Sequence, residues 1–332
     1  MKILLGNNSL SFLGGSETWS LTLAIALKRL GHEVTCFGPT LGDISKALES
    51  EGIRCFDNMA PEGLKPFSLV LQKSVKHEYD FIIANHWHIV EYLRRQFPKI
   101  PIVSTVHGII HYMDEEKKQP APEHPSLNGG VSQFIAVSEE VQNMLKDSYN
   151  IESTIIRNFF DLKKFKASSV KKKPKQFLIN TNYAGKDDPE IKLIKEVANH
   201  YDAKLTAVGQ GFGVSSDIRE AIKDADIVVG MGRSVLEGVA MGRLGIVHGR
   251  WGTGGVIHEG MIKELRERNF SGRNSGDEYW TKERFIQEID EHYKKKTFDW
   301  QKGYMAINHN AENAAQIFIG IGEDLLGLNI KK

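Results

Sequence analysis

Short apolar runs alternate with helical patterns along this chain, a polar stretch intervenes, and the same alternation starts again. KILLG at 2–6 leads into a helical pattern over 16–30, where Trp19, Leu23, Leu27 and Leu30 recur at helical spacing. Ser16 is placed as its N-cap and Gly31 just past its end. Further runs at 33–38, 53–56, 81–85, 101–106 and 134–138 continue the series, the last before a helix starting near Glu139. Strands separated by helices mean crossover units and a parallel sheet. Residues 166–175, KASSVKKKPK, are polar, basic and closed by a proline, the composition of a linker. Beyond them, runs at 176–180, 204–209, 226–230 and 244–249 alternate with helical patterns over 189–201 and 235–241. The expected organisation is therefore a first α/β lobe over 1–165, a linker over 166–175 and a second lobe over 176–305. A C-terminal helix from about Ala306, with Ile307, Ala311, Ala314, Ala315, Phe318 and Leu325 as its apolar residues, suits either lobe.

Composition narrows what these lobes act on. The 332 residues carry 43 Lys plus Arg against 42 Asp plus Glu, a formal charge of +1. No global field then draws the protein to nucleic acid or an acidic membrane; an anionic partner must be held by a local site. Cys36 and Cys55 are too few for a disulfide framework or a four-cysteine zinc site, and both lie in apolar runs, so they read as reduced core residues. The sequence has no signal-peptide pattern and no apolar run approaching 18 residues, which predicts a cytoplasmic protein with no integral membrane segment and, at most, peripheral membrane contact.

Open parallel sheets bind ligands outside the carboxyl ends of their strands, where helix N-termini favour phosphates. A nicotinamide dinucleotide does not suit the first lobe. Its first loop reads GNNSLSFLGGSE instead of GxGxxG, and its second strand ends Cys36-Phe37-Gly38 with no acidic residue for a ribose. The second lobe offers a better phosphate turn in GMGRSVLEGVAMG, 230–242: Gly230 and Gly232 for close backbone approach, amides near Ser234 and the charge of Arg233. Ser234 and Glu237 equally fit a capping box, which would make both structural.

In order along almost the whole chain, these stretches resemble the retaining family 4 (group 1) glycosyltransferases, which have the GT-B fold of two Rossmann-like lobes facing across a cleft. GGSE at 14–17 is similar to that family's first glycine loop, STVHG at 104–108 to its strand ending in a histidine, and FIAVSEEVQNML at 134–145 to its A-V-S strand and helix. IIRNFFDLKKF at 155–165 is similar to its extended segment before the linker, VGQG at 208–211 to V-G-x-G, and LEGVAMGRLGIV at 236–247 to its L-E-A-M-A-x-G-x-P-V stretch. The resemblance implies transfer of a sugar from a nucleotide donor, UDP- or GDP-linked, with the donor as substrate and no cofactor. It implies Gly14 and Gly15 near the donor diphosphate or the acceptor oxygen, His107 on the donor sugar, and Gly209, Gly211, Gly230, Gly232, Arg233 and Ser234 around the nucleotide, whose ribose Glu237 binds. For each of Gly14, Gly15, His107 and Glu237 a plain structural reading stands beside the functional one.

The departures bear on charge. The family carries a second glutamate eight positions before the one matched by Glu237, and here that position is Val229, in a strand. Its arginine and lysine after the first strand of the second lobe are represented only by NTNYAGKDDP, where Lys186 serves and the arginine falls on Thr181 or Asn182. Arg233 is the candidate replacement cation. In a retaining reaction no nucleophilic carboxylate pair is required; in an inverting one Glu17 is the nearest general base, although a carboxylate there also suits a helix start. His86 and His88 are assigned to the acceptor, since His86-Trp87-His88 lacks a third metal ligand, and His258-Glu259 lacks the second histidine of a zincin helix; no metal is expected.

The loops 7–12, 59–66 and 113–125 have no composition that chooses among glycan, lipid, small-molecule or other acceptors, and near-neutrality weighs against nucleic acid while leaving it open. Two other readings stand beside the transferase: a nucleotide-sugar epimerase or hydrolase on the same fold, and a catalytically weakened nucleotide-sugar-binding protein.

Overall fold

The computed structural model describes residues 1–11, 14–57, 79–109, 113–114, 119–120, 130–209, 211–213, 217–273 and 279–328. The loop 59–66 and most of 113–125 lie outside these. The chain divides into two compact units, Met1–Phe159 with Ala311–Lys332, and Phe160–Asn310.

Unit 1 is built on a seven-stranded parallel sheet in the order β3-β2-β1-β4-β5-β8-β9. Its strands are β1 (Lys2–Gly6), β2 (Glu33–Phe37), β3 (Arg54–Phe56), β4 (Phe81–Asn85), β5 (Ile102–Val106), β8 (Gln133–Ala136) and β9 (Ser153–Ile155). β6 (Met113–Asp114) and β7 (Gln119–Pro120) form a separate two-residue ladder. The central strands read as unbroken apolar runs because helices cover both faces, so β4 and β5 are buried along their whole length. The helices are α1 (Gly15–Arg29), α2 (Asp43–Ser50), α3 (Trp87–Gln96) and α4 (Glu139–Tyr149), the last capped by the Ser138 hydroxyl accepting from the Val141 amide. The N-cap of α1 is Gly14, two residues earlier than the sequence suggests; Ser16 lies inside the helix and its hydroxyl donates to Glu17.

The expected single C-terminal helix is two. α10 (Lys295–Asn308) belongs to unit 2, the chain breaks at His309, and α11 (Ala311–Leu325) returns to unit 1. Ala311, Ala314, Ala315 and Phe318 join the core around Trp19, which also meets Phe159. Ile307, counted among the apolar face, is 73% exposed. Cys36 and Cys55 are unbridged and lie directly opposite one another on β2 and β3.

Unit 2 has a five-stranded sheet in the order β11-β10-β12-β13-β14, parallel except for the last strand. Its strands are β10 (Gln176–Asn180), β11 (Lys204–Val208), β12 (Ile227–Gly230), β13 (Leu244–Gly249) and β14 (Gly252–Val256). Its remaining helices are α5 (Pro189–His200), α6 (Ile218–Asp224), α7 (Arg233–Ala240), α8 (Ile262–Glu267) and α9 (Lys282–His292). The lysine-rich stretch over 166–175 is docked on this unit. Asp226 accepts from the backbone amides of Lys171, Lys175 and Gln176, and buried Arg243 donates to Ser168 and the Ser169 carbonyl.

His248 on β13 is buried, sharing hydrogen bonds with Thr253 and with the Glu190 carbonyl. Burial pushes its pKa down to about 4. The folded protein resists the protonation that the unfolded chain accepts near 6.5, so this stability is complete above that value and is lost as the pH falls toward 4. The expected loss is about 3 kcal/mol. Denaturant midpoints measured between pH 7 and 4.5 should fall steeply for the native protein and less steeply for His248→Gln.

Candidate active site

In unit 1 the strand order reverses between β1 and β4, and such a switch point leaves a crevice at the carboxyl ends of the strands. Three adjacent strands, β1, β4 and β5, deliver their following residues there: Asn7 and Asn8, His86, and His107. Asn85, at the end of β4, is buried and donates to Asn7 Oδ1 at 3.2 Å and to Ser20 Oγ at 3.0 Å, tying the β1 loop to α1. The Asn7 amide in turn donates to the Ser9 carbonyl. His86 holds a positive φ of 67° as the N-cap of α3, a conformation rare for a side-chain-bearing residue. That turn sets its ring in a row with two others, 6.1 Å from His88 and 6.2 Å from His107. Trp19 closes the row edge-on against His107 at 5.1 Å. His88 is fixed by a 2.7 Å hydrogen bond to Asn8 Oδ1, and burial lowers its pKa.

The structure therefore brings His86, His88 and His107 together, where the sequence offered them as separate motifs. A Cβ added at Gly15 meets nothing within 4 Å, so the start of α1 is open on that side. Glu17 is 4% exposed, and burial pushes its carboxyl up against the opposing hydrogen bond from Ser16. Asn7, Asn8, Asn85 and Ser20 were missed by sequence reasoning. The Asn7-Asn8 pair directly after the first apolar run was the available signal.

In unit 2 the order reverses between β10 and β12. Gly230 ends β12, where a Cβ would lie 2.7 Å from the Asn180 carbonyl of β10, and Gly232 has φ +55° as the N-cap of α7. Ser234 is therefore not the cap, and the S-x-x-E capping box does not form. Two amides at this turn are also used internally: Gly232 N–H donates to the Phe270 carbonyl and Ser234 N–H to the Met231 carbonyl. Glu237 instead pairs with Arg233 at 3.5 Å, with side chains 12% and 11% exposed, and the guanidinium lies 4.6 Å over the Phe160 ring. Burial pushes the Glu237 carboxyl up, opposed by Arg233 and by a hydrogen bond from Asn180; burial pushes the Arg233 guanidinium down. Val229 is buried in β12, which runs straight into this turn.

Gly209 and Gly211 serve the backbone. A Cβ at Gly209, whose φ is +125°, would sit 1.7 Å from the Thr181 carbonyl oxygen, and one at Gly211 would sit 2.7 Å from that of Ala184. Their turn is pressed against the loop after β10. Lys186 is exposed on that loop. The same carboxyl edge carries an aromatic pair the sequence did not single out, Tyr183 after β10 and Trp251 after β13, with ring centroids 5.4 Å apart. Arg250 and Arg273 both lie over Trp251, at 5.5 and 5.8 Å.

Two Rossmann-like units with these sheet orders define the GT-B class of glycosyltransferase folds. The chain superposes over 98% of its length on a glycosyltransferase from Rickettsia africae, covering 98% of that chain at 18% identity and a TM-score of 0.66. It covers 97% of its own length and 99% of Anabaena HepE in complex with UDP-glucose, at 16% identity and 0.65. Sucrose-phosphate synthase from Thermosynechococcus elongatus is similar over 98% of this chain and 99% of that one, at 14% identity and 0.60. Residues 13–164, which take in most of unit 1 and the first residues of unit 2, match the Glycosyltransferase Family 4 model. No curated protein matches the chain by sequence. Among the described residues, no helix is long and apolar enough to cross a membrane.

Proposed function

We propose that this protein moves a hexose from a nucleoside diphosphate donor to an acceptor hydroxyl, with retention of anomeric configuration, at the cytoplasmic side. The observation that carries the reading is the imidazole row His88-His86-His107 at the switch point of unit 1, most of which matches the Glycosyltransferase Family 4 model. His107 contacts the transferred sugar, and Gly14 and Gly15 leave the backbone approachable at the start of α1. His86 and His88 meet the acceptor. The nucleotide belongs to unit 2, with Glu237 on its ribose and its base against Tyr183 and Trp251. Exposed Arg250 and Lys186 and half-buried Arg273 are the cations that meet the diphosphate, and Arg233 orients Glu237 through their ion pair.

Breaking the sugar–phosphate bond leaves charge on the departing diphosphate, and preorganised cations stabilise that charge as it develops. In same-face attack the departing phosphate oxygen takes the acceptor proton, and no nucleophilic carboxylate is required. Glu17, pushed up by burial, is the group that would take the proton if the acceptor attacked from the opposite face.

Anabaena HepE binds UDP-glucose, which makes UDP-glucose the first donor to test here. Titration with UDP-glucose, UDP-galactose and GDP-mannose should give saturable binding to at least one. Base stacking is worth about 1–3 kcal/mol, so Trp251→Ala should weaken that binding about tenfold or more. Equal affinity in Trp251→Ala would remove the aromatic pair from the donor site, and binding to none of the donors would overturn the reading.

A further inference from the structure

A second cluster of ligating side chains lies at the other end of unit 2. β14 runs antiparallel to β13, so it ends at the edge opposite the turns that carry Arg233 and Trp251. His258 follows two residues after Val256. Helix α9 buries Phe285 and Ile289 in the core of the unit, and its last residues carry Glu288 and His292 one turn apart. One ligand atom from each of His258, Glu288 and His292 lies within 4.8 Å of the others, and all three residues are half-buried. The two imidazoles lie face to face, with centroids 3.9 Å apart and planes at 17°. Glu288 Oε2 is 3.8 Å from His292 Nε2.

We propose that His258, Glu288 and His292 bind a divalent transition-metal ion of the zinc type, which ties the last turn of α9 to the segment after β14. Two histidines and one carboxylate are a donor set such ions accept, with a water as fourth ligand. Neutral imidazole is the ligating form, and burial lowers the pKa of both rings. The surrounding charges are Glu291, Arg284 and Lys294. A tetrahedral ion with bonds of about 2.1 Å holds its ligand atoms about 3.4 Å apart. The cluster must therefore contract by roughly an ångström, which side-chain rotation supplies: His292 ends its helix and His258 lies outside any helix or strand.

The Gly260 amide donates to His258 Nδ1 at 3.2 Å, so without an ion the ring carries its proton on Nε2. Coordination through Nε2 moves that proton to Nδ1 and returns the exposed Gly260 amide to water. The role is structural, because the cluster sits at the edge away from the candidate nucleotide residues.

The test uses the full chain after EDTA treatment and dialysis. Zn²⁺ titrated by calorimetry should bind one equivalent and raise the melting temperature, and Co²⁺ should give the intense visible absorption of a tetrahedral site. His258→Ala, His292→Ala and the isosteric Glu288→Gln should each weaken Zn²⁺ at least tenfold and abolish the Co²⁺ band, leaving UDP affinity unchanged. Absence of saturable Zn²⁺ and Co²⁺ binding by the native chain, or full-strength binding by all three variants, would overturn the proposal.

Discussion

Arg233→Ala is expected to cost this protein both stability and turnover, and the two losses separate by design. The guanidinium is enclosed by Phe160 and pairs with Glu237 where both side chains are nearly buried. Removing it strands a carboxylate already pushed up by burial. Breaking one side of such a pair costs about 3–5 kcal/mol, and the melting temperature of a domain of this size falls by roughly 10 °C. The double substitution Arg233→Met with Glu237→Leu removes both charges and keeps the volume, so it should recover most of the stability. It should not recover turnover, since the group assigned to the nucleotide ribose is gone and donor KM rises. Recovery of activity together with stability in the double variant would make the pair structural only. Glu237→Gln adds a third point, keeping the Asn180 contact while removing the charge.

His107→Ala is expected to lower kcat by about a hundredfold or more, the usual cost of losing one preorganised contact to the reacting centre. His107 stands directly after β5, with one face toward His86 and Trp19 edge-on beside it. It belongs to the first unit, so UDP affinity, assigned to the second, should stay within about twofold of the native value. A loss of UDP affinity as large as the loss of kcat would mean that the substitution damages the fold. Circular dichroism and the melting temperature control for this, because the His107 ring is only half-buried and the Trp19 core has Phe159 and Phe318 as further partners.

Most strands of both units were legible in the sequence because a parallel sheet covered on both faces demands apolar runs, and KILLG, FIIAN, QFLIN and LGIVHG are such runs; the short edge strand β9 and the glycine-rich, antiparallel β14 were not. Helix ends were less legible. Ser16 looks like a cap by residue type, yet Gly14 already has extended backbone and takes the position. The break between α10 and α11 carries neither glycine nor proline, only His309 and Asn310, so a continuous apolar pattern hid it. The capping-box reading of Ser234 and Glu237 failed because Gly232, with its positive φ, starts the helix two residues earlier.

Sites fared as their geometry dictates. His107, Gly15 and Glu237 were singled out as candidates on short local stretches that resemble family motifs. Asn8 with His88, and Tyr183 with Trp251, are joined only by strand order, which local spacing does not encode. His258 and His292 are separated by 34 positions and carry no motif spacing, which is why no metal was expected there. Arg233, the candidate replacement cation of the sequence reading, pairs with Glu237. Exposed Arg250 and Lys186 and half-buried Arg273 are the further cations of that edge we assign to a diphosphate.

The most direct test of sugar transfer is turnover of UDP-glucose labelled with ¹³C at the anomeric carbon, followed by NMR in the presence of a mixed panel of glycan, lipid and small-molecule acceptors. The account predicts release of UDP and a new glycosidic anomeric signal of the same configuration as the donor, lost in His107→Ala. Interconversion of the donor sugar without UDP release, or stoichiometric binding with no turnover of any nucleotide sugar, would contradict it.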